Sequence, residues 1–188
     1  MKILIANRGE IALRIVRACK EMGIECVCCY SKADADSLAV KLADDAICIG
    51  DSLSKNSYLN INAILSACFA KGCDAIHPGY GFLSESTKFA TMVEDCNITF
   101  IGPKASHIKT LSDKTKAKEI AKRLNIPVIP GVNKKIESED EAFKVANLIG
   151  YPVLIKAASG GGGKGIFQVD SEDNLISTFR KAQGEAKA

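Results

Sequence analysis

Lys156 lies within an apolar stretch, YPVLIK at 151–156, and four glycines, Gly160, Gly161, Gly162 and Gly163, follow shortly after, with Lys164 directly behind them. This combination suits phosphate. Glycines let backbone N–H groups approach phosphate oxygens without interference from a Cβ, and an ammonium group supplies the opposing charge. The flanking segments are too short and too apolar for a Gly/Ser linker, so the reading is strand, glycine loop, strand. Alternation along the first strand puts Tyr151, Val153 and Ile155 on one face, with Leu154 and Lys156 on the other. A lysine inside an apolar strand calls for an anion or a cleft. The plain alternative is a long hairpin whose edge lysine points at water.

The loop fits neither common nucleotide fingerprint. A Walker A loop, GxxxxGK[ST], leads straight into a helix; here the leading glycine position is Ala158, Gly165 follows Lys164, and IFQV at 166–169 reads as strand. The dinucleotide pattern GxGxxG fails as well, because the chain reads ANRGE after the first strand and the glycine run lies between strands. A second stretch with chemical potential is HPGYGFLSE at 77–85, which follows a short strand; taken alone, it reads as a Pro/Gly turn with His77 in the core. A third is the helix over 10–22, where Arg14, Arg17 and Glu21 fall at i, i+3 and i+7, a polar face distinct from Ile11, Ile15 and Ala18. Such faces are usually only solvated.

The elements that must position these residues form two textures. Through residue 101, short apolar runs at 2–6, 24–30, 46–49, 74–76 and 98–101 alternate with helical patterns at 10–22, 37–43, 58–71 and 86–96. Gly23 and Gly72 sit at the expected helix stops. This is the pattern of an α/β, Rossmann-like, doubly wound parallel sheet. From 104 to 123 the chain turns helical and carries seven cationic residues against two acidic ones. That run reads as a solvated face, the alternative being a rim that attracts an anionic ligand. Pro127, Pro130 and Gly131 punctuate its end and suggest a boundary. Beyond it the pattern gives a helix, two strands and a helix, too little to close a second core, so a truncated second domain is expected. The expected division is 1–112, a helical linker over 113–129, and 130–188.

Composition excludes several classes. The 188 residues are 47% apolar and 25% charged, with a net charge of +3, which fits a soluble globular protein rather than a nucleic-acid or membrane binder. No Trp and four Tyr leave no aromatic interleaving for base stacking. The opening MKILIANRGE is neither a signal peptide nor a membrane span, so a cytoplasmic location is expected. Cys26 and Cys29 make a formal CxxC. In a strand, however, Cys26 and Cys28 face one way and Cys29 the other, so the eight cysteines read as buried apolar side chains in a reducing compartment, with no metal site.

Several segments match a known family in order and spacing: IANRGEIALRI at 5–15, SYLN at 57–60, AIHPGYGFLSE at 75–85, FIGP at 100–103, DK at 113–114 and GYPVLIKAASGGGGKG at 150–165. Over nearly its whole length the chain resembles the N-terminal part of biotin carboxylase, the ATP-grasp component of biotin-dependent carboxylases such as acetyl-CoA, propionyl-CoA and pyruvate carboxylases. The resemblance implies a pre-ATP-grasp domain followed by the start of an ATP-grasp lid. It implies an ATP- and Mg2+-dependent ligase that activates bicarbonate as carboxyphosphate and carboxylates biotin on a carrier protein, working beside a carboxyltransferase. In such enzymes two lysines and the glycine loop hold the triphosphate, which here means Lys114, Lys156 and Gly160, Gly161, Gly162 and Gly163; for Lys114, one lysine among many on a helix, only the resemblance says so. It further places Tyr80 and Gly81 on the biotin side of the cleft and makes Arg14, Arg17 and Glu21 a dimer face. The family's Mg2+ ligands, bicarbonate-binding residues and general base fall in the later part of the fold, so no catalytic residue is assigned to this chain, which alone is expected to be inactive. Two other readings stand beside it: another ATP-grasp ligase resembling carbamoyl-phosphate synthetase, against which the pairing of ANRGEIA with HPGYGFLSE counts, and a non-catalytic assembly module.

Overall fold

A computed structural model describes residues 1–132, 134–156 and 165–187, except for the side chains of 114, 115 and 185–187. The chain divides into two compact units, Met1–Asp113 and Lys114–Ala188.

In the first unit, five strands form one parallel sheet: β1 (Lys2–Ile5), β2 (Glu25–Ser31), β3 (Asp45–Gly50), β4 (Ala75–His77) and β5 (Thr99–Phe100). Their order is β3-β2-β1-β4-β5, with β1 paired to both β2 and β4. The helices between them are α1 (Gly9–Glu21), α2 (Leu38–Leu42), α3 (Ile61–Ala70) and α4 (Thr87–Asp95), with α5 (Ala105–Leu111) after β5. A parallel sheet needs cover on both faces, and the period-2 alternation of its strands feeds two separate cores. Ile3, Ile5, Cys26, Cys28 and Ala75 point to the core built with Ala12, Ile15, Val16 and Cys19 of α1 and Ala39 of α2. Leu4, Val27, Cys29 and Ile76 point to the opposite core, built with α3, α4 and α5. There Phe89 of α4, fully buried, meets Phe100 edge-on at 5.9 Å and 84°.

The five strands expected in this unit are all present, with ends displaced by one residue at most. Two helix expectations are corrected. The helix expected over 58–71 begins at Ile61, because Asn60 caps it, its side chain accepting from the Ala63 N–H at 3.1 Å, while Tyr58 turns into the core at 1% exposure. The helical run over 104–123 is two helices, α5 and α6 (Lys114–Arg123), parted at Ser112 and Asp113, where the two units also meet in sequence.

The second unit continues from α6 with α7 (Glu139–Ile149), an antiparallel pair β6 (Val153–Lys156) and β7 (Ile166–Val169), and α8 (Leu175–Lys187). Ser138 caps α7, accepting from the Glu141 N–H at 3.2 Å, and three acidic residues in the first turn complement the helix dipole. Val153 and Val169 pack with Ala146 and Leu175, joined by Tyr151 and Ile155 as the alternation requires. Arg180 grips Glu139 with two bonds, at 2.6 and 3.1 Å, tying α8 to α7. Among the described residues no helix is long and apolar enough to cross a membrane.

Candidate functional site

The strand order makes β1 the topological switch point: the chain winds outward to β3 on one side, then crosses back to β4 on the other. Open α/β sheets bind ligands outside the carboxyl ends of the strands at such a point, because the connections there diverge to opposite faces and leave a crevice. At the carboxyl end of β1 stand Asn7 and Arg8; at that of β4 stand His77 and the loop through Gly81.

The loop is held through its main chain. The Ala6 N–H donates to the His77 carbonyl at 2.9 Å, extending the β1–β4 ladder. The Gly79 N–H donates to His77 Nδ1 at 3.0 Å, so the proton of the neutral ring sits on Nε2; burial lowers the His77 pKa and favours that neutral form. Asn7, 2% exposed, donates from Nδ2 to the carbonyls of Pro78 at 2.7 Å and Tyr80 at 2.9 Å. Tyr80 itself is 66% exposed and Gly81 is exposed at φ +72°. His77 is only half-buried, short of the core position that the turn reading expected, because it ends β4 where the chain leaves the sheet.

Beside the loop lies a polar cluster with no sequence signal. Asp34, just after β2, accepts from Arg8 Nη2 at 2.5 Å and Nε at 3.2 Å on one oxygen, and from Ser31 Oγ at 2.7 Å and the Tyr58 hydroxyl at 2.8 Å on the other. The Tyr58 oxygen in turn accepts from the Ser31 N–H at 2.9 Å. Burial opposes ionisation of Asp34, but the bonds from Arg8, Ser31 and Tyr58 outweigh it and hold the carboxyl below its ordinary range. Burial, foremost, pushes the Tyr58 hydroxyl well up. The Tyr58 ring stacks on Phe82 at 5.1 Å and 24°, and the Arg8 guanidinium lies 5.9 Å from its centroid.

The remaining predicted residues fall as follows. Arg14 and Arg17 are exposed on α1 and line a shallow groove with Glu10, Ile11 and Leu13; Glu21 is exposed at the end of the same helix, and Ile15 is buried on the opposite side. Lys156 ends β6, paired with Ile166, and its side chain is exposed on the face it shares with Leu154. Leu154 is 59% exposed on the same face, so the Lys156 side chain meets solvent and does not require the buried anion that an apolar strand would demand. Lys114 opens α6, and its side chain lies outside the described set. Gly160, Gly161, Gly162, Gly163 and Lys164 lie outside the described residues.

All eight cysteines are free thiols, and Cys26 and Cys28 face away from Cys29 as alternation requires. Burial raises Cys26 to about 11 and Cys28 to about 12. One expectation is corrected: Cys48 is exposed and Cys96 only half-buried, because β3 is an edge strand and Cys96 caps the end of α4. Among the described residues, no group of three or more His, Cys, Asp or Glu side chains is placed to hold a metal ion.

Sequence reasoning missed Asn7, Asp34 and Tyr58 as loop supports. A polar residue directly after an apolar strand was a usable signal for Asn7, but two of the three side-chain partners of Asp34, Arg8 and Tyr58, lie 26 and 24 residues away and left none.

Comparison with known proteins places this geometry. Residues 1–108 match the biotin carboxylase N-terminal domain, and residues 113–188 match the ATP-binding domain of the carbamoyl-phosphate synthase L chain. Biotin carboxylase 1 of Bacillus subtilis (strain 168) is 52% identical over 98% of this chain and 41% of its own length. The crystal structure of a biotin carboxylase complexed with β,γ-ATP from Campylobacter jejuni superposes with a TM-score of 0.85 at 50% identity, covering 98% of this chain and 42% of that one. The biotin carboxylase domain dimer of Hydrogenobacter thermophilus 2-oxoglutarate carboxylase, in complex with MgADP, ADP and bicarbonate, gives a TM-score of 0.82 at 44% identity, over 98% of this chain and 41% of that one. The chain thus spans about two fifths of the length of these relatives. With a matching family model over more than half its residues, and with the HPGYG loop at the switch point of the expected sheet, the chain belongs to the biotin carboxylase family.

Proposed function

We propose that this chain is the N-terminal, nucleotide-binding part of a biotin carboxylase, a ligase that uses ATP and Mg2+ to activate bicarbonate as carboxyphosphate and transfers the carboxyl group to biotin on a carrier protein. The observation that carries this reading is the 50% identity, over 98% of the chain, to a biotin carboxylase crystallised with β,γ-ATP. The ATP-binding match over 113–188 bears a carbamoyl-phosphate synthase name, which supports the ATP-grasp lid; the match over 1–108 supports biotin carboxylase over the other ligase.

In this reading Lys114, Lys156 and Gly160, Gly161, Gly162 and Gly163 hold the triphosphate. The exposed position of Lys156 at the mouth of the β6–β7 hairpin supports that role, since an ammonium there is free to meet an anion. Tyr80 and Gly81 serve the biotin side, supported by their exposure at the carboxyl edge of the switch point. Arg14, Arg17 and Glu21 meet a second copy, supported by the groove on α1 and by the dimer described for the 2-oxoglutarate carboxylase domain. Mg2+ ligands, the bicarbonate clamp and the general base are assigned to the rest of the enzyme, and the choice of acyl acceptor to the carboxyltransferase. The free, mostly buried thiols support a cytoplasmic setting.

Titration calorimetry with ATP tests the nucleotide assignment in a full-length carboxylase carrying this segment. Lys156→Ala weakens binding by about 1.5–3 kcal/mol, the worth of a hydrogen bond to a charged group. Lys164→Ala is expected to have a smaller effect, as for a charge screened by water. Equal effects from both substitutions would refute the placement.

A further inference from the structure

We infer that Asn7 is a positioning residue that presents the Tyr80–Gly81 edge of the loop, acting through main-chain bonds rather than by touching a ligand. The inference rests on the proposed reading that this edge serves biotin.

The loop has a composition that should make it mobile. Gly79 and Gly81 bring maximal backbone freedom, and Tyr80 is mostly solvated. Its main-chain groups are nonetheless tied down. Asn7 spends both amide hydrogens on the Pro78 and Tyr80 carbonyls, while its Oδ1 accepts from the Arg8 N–H at 2.9 Å. Gly79, at φ +64°, lies directly over this amide: a Cβ there would come within 2.7 Å of Asn7 Nδ2 and 2.6 Å of Ile11 Cγ2. Position 79 is therefore glycine because the side chain of Asn7 occupies the space. Downstream, the Ser84 N–H donates to the Gly81 carbonyl at 2.9 Å. Phe82, bulky and at φ +43°, is held in a costly backbone region by its stack on Tyr58. With the carbonyls drawn inward to Asn7, Tyr80 and Gly81 are left facing solvent. A planar, hydrogen-bonding ring such as the biotin ureido group would meet them without a cost of ordering the loop.

The test uses Asn7→Asp, nearly isosteric but with no hydrogens for the two carbonyls, and Asn7→Ser, too short to reach both, in a full-length carboxylase carrying this segment. Two quantities are measured: amide hydrogen exchange over 79–82, and KM for free biotin alongside KM for ATP. Exchange should accelerate and the biotin KM rise by about tenfold, the equivalent of one ordinary hydrogen bond, with the ATP KM within about twofold. Tyr80→Ala is the control for the underlying reading. If it leaves the biotin KM unchanged, the biotin assignment of this edge fails, while exchange still decides whether Asn7 orders the loop. Unchanged exchange in both Asn7 variants overturns the inference. So does faster exchange with an unchanged biotin KM in an enzyme that responds to Tyr80→Ala, as does an equal rise in both KM values.

Discussion

Replacing Asp34 with asparagine should destabilise the first unit in a way that disappears in acid. The carboxylate is 12% exposed and accepts from three side chains, so its two oxygens are fully engaged. Its pair with Arg8 counts for little, because the Arg8 side chain is 48% exposed and such pairs contribute ~1 kcal/mol at most. The inner oxygen matters more, since it takes the Ser31 and Tyr58 hydroxyls at 2.7 and 2.8 Å. An amide offers one oxygen and one NH2, so either Arg8 or the hydroxyl pair meets a donor where it had an acceptor. Allowing partial rescue by hydroxyl rotation, the loss is about 2–3 kcal/mol, one charged hydrogen bond and part of a second. Because the folded-state pKa of Asp34 is depressed, the stability it contributes is present above the unfolded value of about 3.9 and vanishes as pH falls through the folded value. Urea unfolding followed by circular dichroism, for both proteins from neutral pH into acid, should therefore show the gap at neutrality and its closure below about pH 4. A neutral-pH gap within about 0.5 kcal/mol, the range of ordinary surface substitutions, or one that persists unchanged in acid, would refute the role given to this cluster.

Phe89→Ala should cost about 3–5 kcal/mol in urea unfolding, since a fully buried ring with an edge contact to Phe100 leaves a cavity between α4 and the sheet; a loss under about 1 kcal/mol would mean that the core can collapse around the gap. Native-state labelling with a thiol-specific disulfide reagent near neutral pH should modify Cys48 first and leave Cys26, Cys28 and Cys29 untouched until denaturant is added, since burial raises all three thiols and denies access; rapid reaction of all eight would contradict the two-core packing. In sedimentation, a full-length carboxylase carrying this segment should run as a dimer, with Arg14→Glu shifting it toward monomer; a wild-type monomer at high micromolar concentration would dismiss the α1 face.

The layered fold of the first unit was legible in the residue order because hydrophobic period is local information. Strands buried on both faces read as continuous apolar runs, KILIA and IECVCCY among them, and amphipathic helices between them leave few arrangements other than a parallel sheet. The hairpin faces of the second unit were legible for the same reason: alternation put Val153 and Ile155 inward and Lys156 outward. The family was legible too, because its motifs are short and contiguous. What the residue order withheld was how distant polar groups find one another. Asp34 could have been any surface acid, Asn7 any loop amide and Tyr58 the first residue of a helix. Each acquires its role only when β1, β2 and β4 lie side by side and bring residues 24 to 73 positions apart within hydrogen-bonding distance. Apolar patterning constrains which face of an element is buried, but a hydrogen bond demands a partner within about 3 Å and a narrow angle, and that geometry exists only once the sheet has formed.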